Sequence, residues 1–248
     1  MVYSFFKKFH YSLQFNCLLC GIECKKCSSG IFGLCQFCHA QLPHLALEHC
    51  CEHCSLPLAE TAHLLSCGRC LQAPPSYDGS CCALSYEDDS IELIQRLKRQ
   101  FDNAHIRLLA QLLAQKIQQQ NNWHTLWPSI DKVIPSPMYL QRNLSRGNDH
   151  SRLLTQALCK TLKLPIDHKT VIRSKYSLPQ KGLTAKQRQK NIQGVFSVIS
   201  DVRGQHIAIT DDVMTTGATM NEIAICLKQA GAEKVYAWSV ARTPYSLK

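Results

Sequence analysis

The chain has 248 residues, 45% of them hydrophobic and 19% charged, which leaves room for one ordinary domain plus a small one and excludes a disordered protein. No apolar run reaches the roughly 18 residues that a membrane helix needs. A formal charge of +10 asks for a polyanionic partner.

The opening stretch, 1–15, mixes Phe, Lys, His and Tyr and lacks the apolar core and small-residue cleavage site of a signal peptide. A cytoplasmic location is therefore expected. Cysteines come next. There are 15, an odd number, and ten of them form Cys-x-x-Cys pairs: Cys17/Cys20, Cys24/Cys27, Cys35/Cys38, Cys51/Cys54 and Cys67/Cys70. In a reducing compartment that spacing reads as metal binding, not as a disulfide framework. Thiol–disulfide redox chemistry would need a surrounding βαβ pattern, which is missing.

A tetrahedral zinc site takes four soft ligands, and each Cys-x-x-Cys turn delivers two. Cys17/Cys20 and Cys35/Cys38 are separated by 14 residues and are expected to form one site. Cys51/Cys54 and Cys67/Cys70, with 12 residues between them, could form a second. Cys24 and Cys27 either replace one knuckle of the first site or stay free. His39, His49, His53 and His63 are further possible ligands, which complete cysteine sets would leave as bystanders. A closed four-cysteine site leaves no position for substrate, so the zinc is expected to be structural. Cys81, Cys82, Cys159 and Cys226 lie in or beside apolar stretches and read as core.

Composition shifts at Ala73-Pro74-Pro75-Ser76, which places a boundary between a cysteine-rich module, 1–75, and a second domain, 76–248. Ser90 is expected to cap a helix carrying Ile91, Ile94 and Leu97. A second helix is expected over 104–120, ending before Trp127-Pro128. A short strand at Lys132-Val133-Ile134 is stopped by Pro135 and Pro137. Then follow a helix over 151–163, strands over 168–172, 191–199 and 205–210, a helix over 218–230 closed by Gly231, and a strand over 234–240. Alternating strands and helices predict an α/β fold, a mostly parallel sheet with helices on both faces.

Charge divides unevenly. Residues 1–80 hold 5 basic and 5 acidic residues, whereas 132–190 hold 13 basic and only 2 acidic ones, Asp149 and Asp167. A diphosphate, a nucleic-acid backbone or both suit such a segment.

The sharpest motif runs from His206 to Thr219. A buried strand delivers Asp211 and Asp212 at its end, and Thr215-Thr216-Gly217-Ala218-Thr219 leads into a helix. Ligands of open α/β sheets bind at this carboxyl edge. A helix start offers free N–H groups and a positive dipole end to a phosphate. Thr hydroxyls add donors, and Gly217 lets backbone approach an anion. Two acids beside a phosphate cradle need another partner, which sugar hydroxyls or a metal-bound sugar supply.

This stretch resembles the signature loop of type I phosphoribosyltransferases. The resemblance implies that Asp211 and Asp212 hold ribose hydroxyls while Thr215, Thr216, Gly217, Ala218 and Thr219 hold the 5-phosphate of phosphoribosyl diphosphate. Thr215 stands where oxopurine salvage enzymes of this fold have an acid serving as base, which argues against hypoxanthine or guanine salvage.

Further motifs narrow the resemblance. They are Cys17-x-x-Cys20-Gly21, Cys35-x-x-Cys38, Cys51-x-x-Cys54-Ser-Leu-Pro57-Leu58, Cys67-Gly68-x-Cys70 and Leu93-Ile94-x-x-Leu97-Lys98. Downstream are Ile134-Pro135-Ser136-Pro137, Arg142-x-x-x-Arg146-Gly147 and Gln180-x-x-Leu183-x-x-x-x-Arg188-x-x-Asn191. With the loop, they resemble the ComF family of competence-associated, phosphoribosyltransferase-like proteins along nearly the whole chain. One departure is Asn148-Asp149-His150, where the family usually has Phe-Asn-Gln.

The resemblance implies a protein of DNA uptake that binds phosphoribosyl diphosphate and single-stranded DNA beside partners such as a helicase or strand-loading protein. Mg²⁺ would bridge the diphosphate, with Arg142, Arg146 and Lys98 neutralising its charge. Lys175, Lys181, Lys186 and Arg188 would meet nucleic acid from a flap over 173–188. No nucleophile or base is visible. The alternatives are a working phosphoribosyltransferase with an unidentified acceptor and a sensor of phosphoribosyl diphosphate.

Overall fold

The computed structural model describes residues 15–24, 31–59, 65–99, 102–120, 130–137, 149–175, 187 and 191–244. It begins with a two-stranded antiparallel ribbon, β1 (Phe15–Asn16) and β2 (Glu23–Cys24), followed by short helices α1 (Gln36–Gln41) and α2 (Gly68–Gln72). The main sheet holds β3 (Gly79–Ser85), β4 (Lys132–Pro135), β7 (His206–Met214) and β8 (Lys234–Arg242) in the order β3-β8-β7-β4, all parallel. A smaller antiparallel pair joins β5 (Val171–Arg173) to β6 (Phe196–Val198).

Alternation along the strands sends side chains to opposite layers. Cys81, Val133, Ala208, Trp238 and Val240 face α3 (Asp88–Arg99), α4 (Asn103–Gln118) and α5 (His150–Leu162). Ile134, Ile207, Ile209, Val235 and Ala237 face α6 (Ala218–Gln229). Helices therefore cover both faces, as the alternating pattern requires, and Trp238 is fully buried at the centre.

The first layer also takes in Cys17, Ile31, Leu34, Cys38 and Leu42, so the cysteine-rich segment shares its core with the sheet. Leu45 N–H donates to Ala83 O at 3.0 Å and Ser85 N–H to Pro43 O at 2.8 Å, which covers the free edge of β3.

Several elements differ from their expected bounds. β3 is absent from the sequence reading, because its residues are buried on both sides and show no alternation. Ser90 does not cap α3, which starts two residues earlier; its Oγ accepts from Glu87 N–H at 3.0 Å and donates to Ser85 O, as a third-position residue reaching back. The strand expected over 191–199 shrinks to β6. β7 continues through Met214, since Asp211 and Val213 still pair in register with Ser239 and Ala241. Trp127-Pro128 lies outside the described residues.

Candidate functional site

β7 carries Asp211 and Asp212 to the carboxyl edge of the sheet, and Gly217 starts α6 there with φ +76. Only glycine adopts that conformation cheaply. A Cβ at this position would also lie 3.2 Å from Tyr77 Oη and 3.9 Å from Met214 Sδ. Between these elements lies a cleft of about 350 Å³, lined by Lys98, Asp211, Asp212, Thr215, Gly217, Ala218 and Thr219 among others. Thr216 is placed differently: its Oγ1 accepts from Ala218 N–H at 3.3 Å and so serves the helix start.

The two acids have different surroundings. Asp212 pairs with Lys98, Nζ to Oδ2 2.6 Å, and its side chain is 13% exposed. Asp211 reaches the cleft but is crowded by protein elsewhere, accepting from Ser151 Oγ at 3.1 Å and from Asp212 N–H at 2.9 Å. Burial, then the charge of Asp212, pushes its carboxyl up to about 7, against the pull of the Asp212 amide, Lys98 and Ser151. The Lys98 ammonium is held above its usual range: burial works against it, and the charge of Asp212 outweighs that. The cleft thus offers a carboxylate pair with one neutralising cation beside a helix N-terminus, an arrangement suited to a polyhydroxylated phosphate ester.

Ser151 was missed in the sequence because its partner is 60 residues away. Within the family departure, Asp149 has a local role: it caps α5 by accepting from Arg152 N–H at 3.0 Å, while Asn148 lies outside the described residues. Lys175 follows β5 as an exposed residue. Arg142, Arg146, Lys181, Lys186 and Arg188 lie outside the described residues.

The cysteines assemble into two groups. Cys17, Cys20, Cys35 and Cys38 form one and Cys51, Cys54, Cys67 and Cys70 the other, the Sγ atoms of each lying within 4.8 Å of one another. The Cys20 and Cys35 sulfurs are 3.9 Å apart and those of Cys54 and Cys67 3.7 Å. A tetrahedron with metal–sulfur bonds of about 2.3 Å has edges of about 3.8 Å. Backbone N–H groups support the knuckles: Cys35 donates to Cys17 Sγ at 3.4 Å and Cys67 to Cys51 Sγ at 3.3 Å. The first group is complete without Cys24, whose Sγ approaches Ile22 O at 3.5 Å; Cys27 lies outside the described residues.

The thiols within each group differ in proton affinity. A hydrogen bond from Cys54 brings the Cys51 thiol down to about 4, while Cys54 is pushed far up by that same bond and by burial. Burial acts upward on Cys17, yet N–H donors from Cys35, Cys20 and Leu19 bring it down to about 6; Cys38 is pushed far up, first by burial. The donor set and its spacing fit zinc.

A parallel sheet that brings paired acids and a Thr-Gly helix start to one cleft is a phosphoribosyltransferase-like domain, and residues 149–247 match the phosphoribosyl transferase domain family. Competence protein F of Haemophilus influenzae is 34% identical over 213 residues, spanning 85% of this chain and 90% of that protein. DNA utilization protein YhgH of Salmonella typhi is 33% identical over 213 residues, spanning 86% and 91%. Among solved structures, hypoxanthine phosphoribosyl transferase of Trypanosoma cruzi shares 17% identity over 57% of this chain and 75% of that one, with a TM-score of 0.36. The chain belongs to the ComF family, with competence protein F and YhgH. No helix among the described residues is long and apolar enough to cross a membrane.

Proposed function

We propose that the cleft binds the ribose 5-phosphate part of phosphoribosyl diphosphate and that the protein serves DNA uptake, as the names of its relatives suggest. The observation that carries this reading is the cleft itself, with Asp211 and Asp212 on one wall and the Gly217 helix start on another. The carboxylates accept the ribose hydroxyls, and the amides and Thr215 and Thr219 hydroxyls hold the 5-phosphate. Mg²⁺ arrives with the diphosphate, whose oxygens are its natural ligands. Each four-cysteine group holds one structural zinc.

Calorimetric titration tests the cleft. Asp211→Ala with Asp212→Ala should abolish binding of phosphoribosyl diphosphate, and unchanged affinity would place the ligand elsewhere. A second reading, transfer of the phosphoribosyl group to an acceptor, is favoured by the completeness of the loop; release of pyrophosphate on adding nucleobases would establish it.

Single-stranded DNA is the proposed macromolecular partner, bound through the basic segment 132–190 with its excess charge of +11 from 13 basic and 2 acidic residues. If about six phosphates are neutralised, log affinity should fall with log salt at a slope of roughly −4. Changing Lys175, Lys181, Lys186 and Arg188 to Glu should flatten that slope. A filter-binding series insensitive to salt and to these changes would refute the DNA reading.

A further inference from the structure

Arg242 ends β8 and is 3% exposed. Arginine is a cationic side chain, and burying a charge is costly unless something offsets it. Its partners are all carbonyl oxygens. Nε donates to Cys54 O at 2.8 Å, and Nη1 donates to Met214 O at 3.0 Å, to Thr243 O at 2.9 Å and to Thr215 O. No carboxylate is among them.

These partners belong to two sites. Cys54 is a member of the second cysteine group, and Met214 and Thr215 lead into the phosphate loop. In a trans peptide the carbonyl and the next N–H point in opposite directions. Carbonyls of Met214 and Thr215 drawn towards Arg242 therefore turn the N–H groups of Thr215 and Thr216 away from it. A divalent ion held by four thiolates carries a net negative charge, because coordinated thiols are deprotonated. That charge beside Cys54 is what a buried guanidinium lacks elsewhere.

We infer that Arg242 is a positioning residue that couples metal binding at Cys51, Cys54, Cys67 and Cys70 to sugar-phosphate binding in the cleft, so that each strengthens the other. The inference rests on the cleft being a ribose-phosphate site. Such coupling is reciprocal: whatever factor the metal adds to ligand affinity, the ligand adds to metal affinity. The first group is tied elsewhere, through Arg96 Nη1 donating to Leu18 O at 2.7 Å.

The test measures zinc release from the full-length, zinc-loaded protein to a chromogenic chelator, with and without saturating ribose 5-phosphate. Calorimetry first establishes that the wild-type protein binds this ligand; no binding of it or of phosphoribosyl diphosphate overturns the cleft reading and the coupling with it. Given binding, the ligand should slow release of one zinc by at least about fivefold and leave the other unchanged. Arg242→Lys keeps the charge but loses the planar fork. It should still bind zinc, bind the ligand more weakly and lose the slowing. Ligand bound without slowing, slowing of both zincs alike, or full slowing in Arg242→Lys overturns the coupling. If Arg242→Lys does not fold, cobalt-loaded wild-type protein decides: ligand should change the thiolate–cobalt absorption, and an unchanged spectrum overturns the proposal.

Discussion

The two cysteine groups share a motif and nearly a spacing, yet they are built into the molecule differently. In the first, Cys20 is exposed and Cys35 half-buried; in the second, all four cysteines are buried. The first is attached to the helical layer: Arg96 of α3 holds Leu18 O, and Gln111 of α4 accepts from Phe32 N–H at 3.1 Å. The second is attached to the sheet and the cleft: Ser55 and Ser80 hydroxyls meet at 2.7 Å, and Arg242 grips Cys54 O. The first group therefore backs the helical layer, and the second stands behind the loop that lines the cleft. Repetition of a motif fixes the ligand chemistry of a site and leaves its consequences to whatever packs against it.

The largest expected effect separates the groups by stability. A structural zinc contributes binding free energy on the order of 10 kcal/mol to the folded state. For a chain of this size each kcal/mol moves Tm by about 2–4 °C. Cys67→Ser, in the buried group, should lower Tm by more than about 10 °C, and Cys35→Ser by roughly half as much. Thermal melts followed by circular dichroism check this, and equal falls would erase the distinction between the two groups.

A smaller effect sharpens the first group's side of the comparison. The Arg96 side chain is 33% exposed and also pairs with Glu92 one turn earlier. Its hydrogen bond to Leu18 O is charge-assisted but partly solvated, so Arg96→Ala should cost about 1–2 kcal/mol. Metal analysis of the variant should still find two zincs per chain. Loss of a zinc would mean that the bond from Arg96 to Leu18 O is needed to keep the first group assembled.

Much of this was legible in the sequence where the signal is local. Cys-x-x-Cys turns and the 206–219 stretch each keep their characteristic residues within a few positions, so spacing alone marks them as candidates. The helices α4, α5 and α6 announce themselves by periodicity, while the caps at Asp102 and Asp149 emerge only in the structure. What escaped depends on distant chain. β3 has no alternation because helices cover one face and the Cys51–Cys54 side the other. The strand expected over 205–210 stops short of Asp211 and Asp212, yet the ladder with β8 runs past them to Met214. Arg242 sits two residues beyond the expected end of the last strand, and its partners Cys54 and Met214 are 188 and 28 residues away. No local pattern marks a residue whose role is to join two motifs.

The smallest expected effect lies in the cleft, whose Met214–Thr215 backbone shares Arg242 with the second group. Asp211 has a folded-state pKa raised from 3.8 to about 7. The folded protein therefore binds this proton more tightly than the unfolded chain does. The group's contribution to stability is fully present below about 4 and is lost as pH rises towards about 7. If the cleft holds a ribose as proposed, ligand binding runs the other way, because an ionised carboxylate is the form that accepts two hydroxyls. About one molecule in ten is ionised at pH 6 and about half at pH 7, so affinity for ribose 5-phosphate should rise about fivefold between them. The ligand's own phosphate titrates near pH 6 and adds to the slope. Asp211→Asn removes the carboxyl's share and keeps the phosphate's, so the difference between the two calorimetric profiles isolates Asp211. Zinc release from the first group should not follow this titration. An Asp211→Asn profile parallel to that of the wild type would show that the carboxyl is already ionised when ligand arrives, and would move the source of any pH dependence to the phosphate.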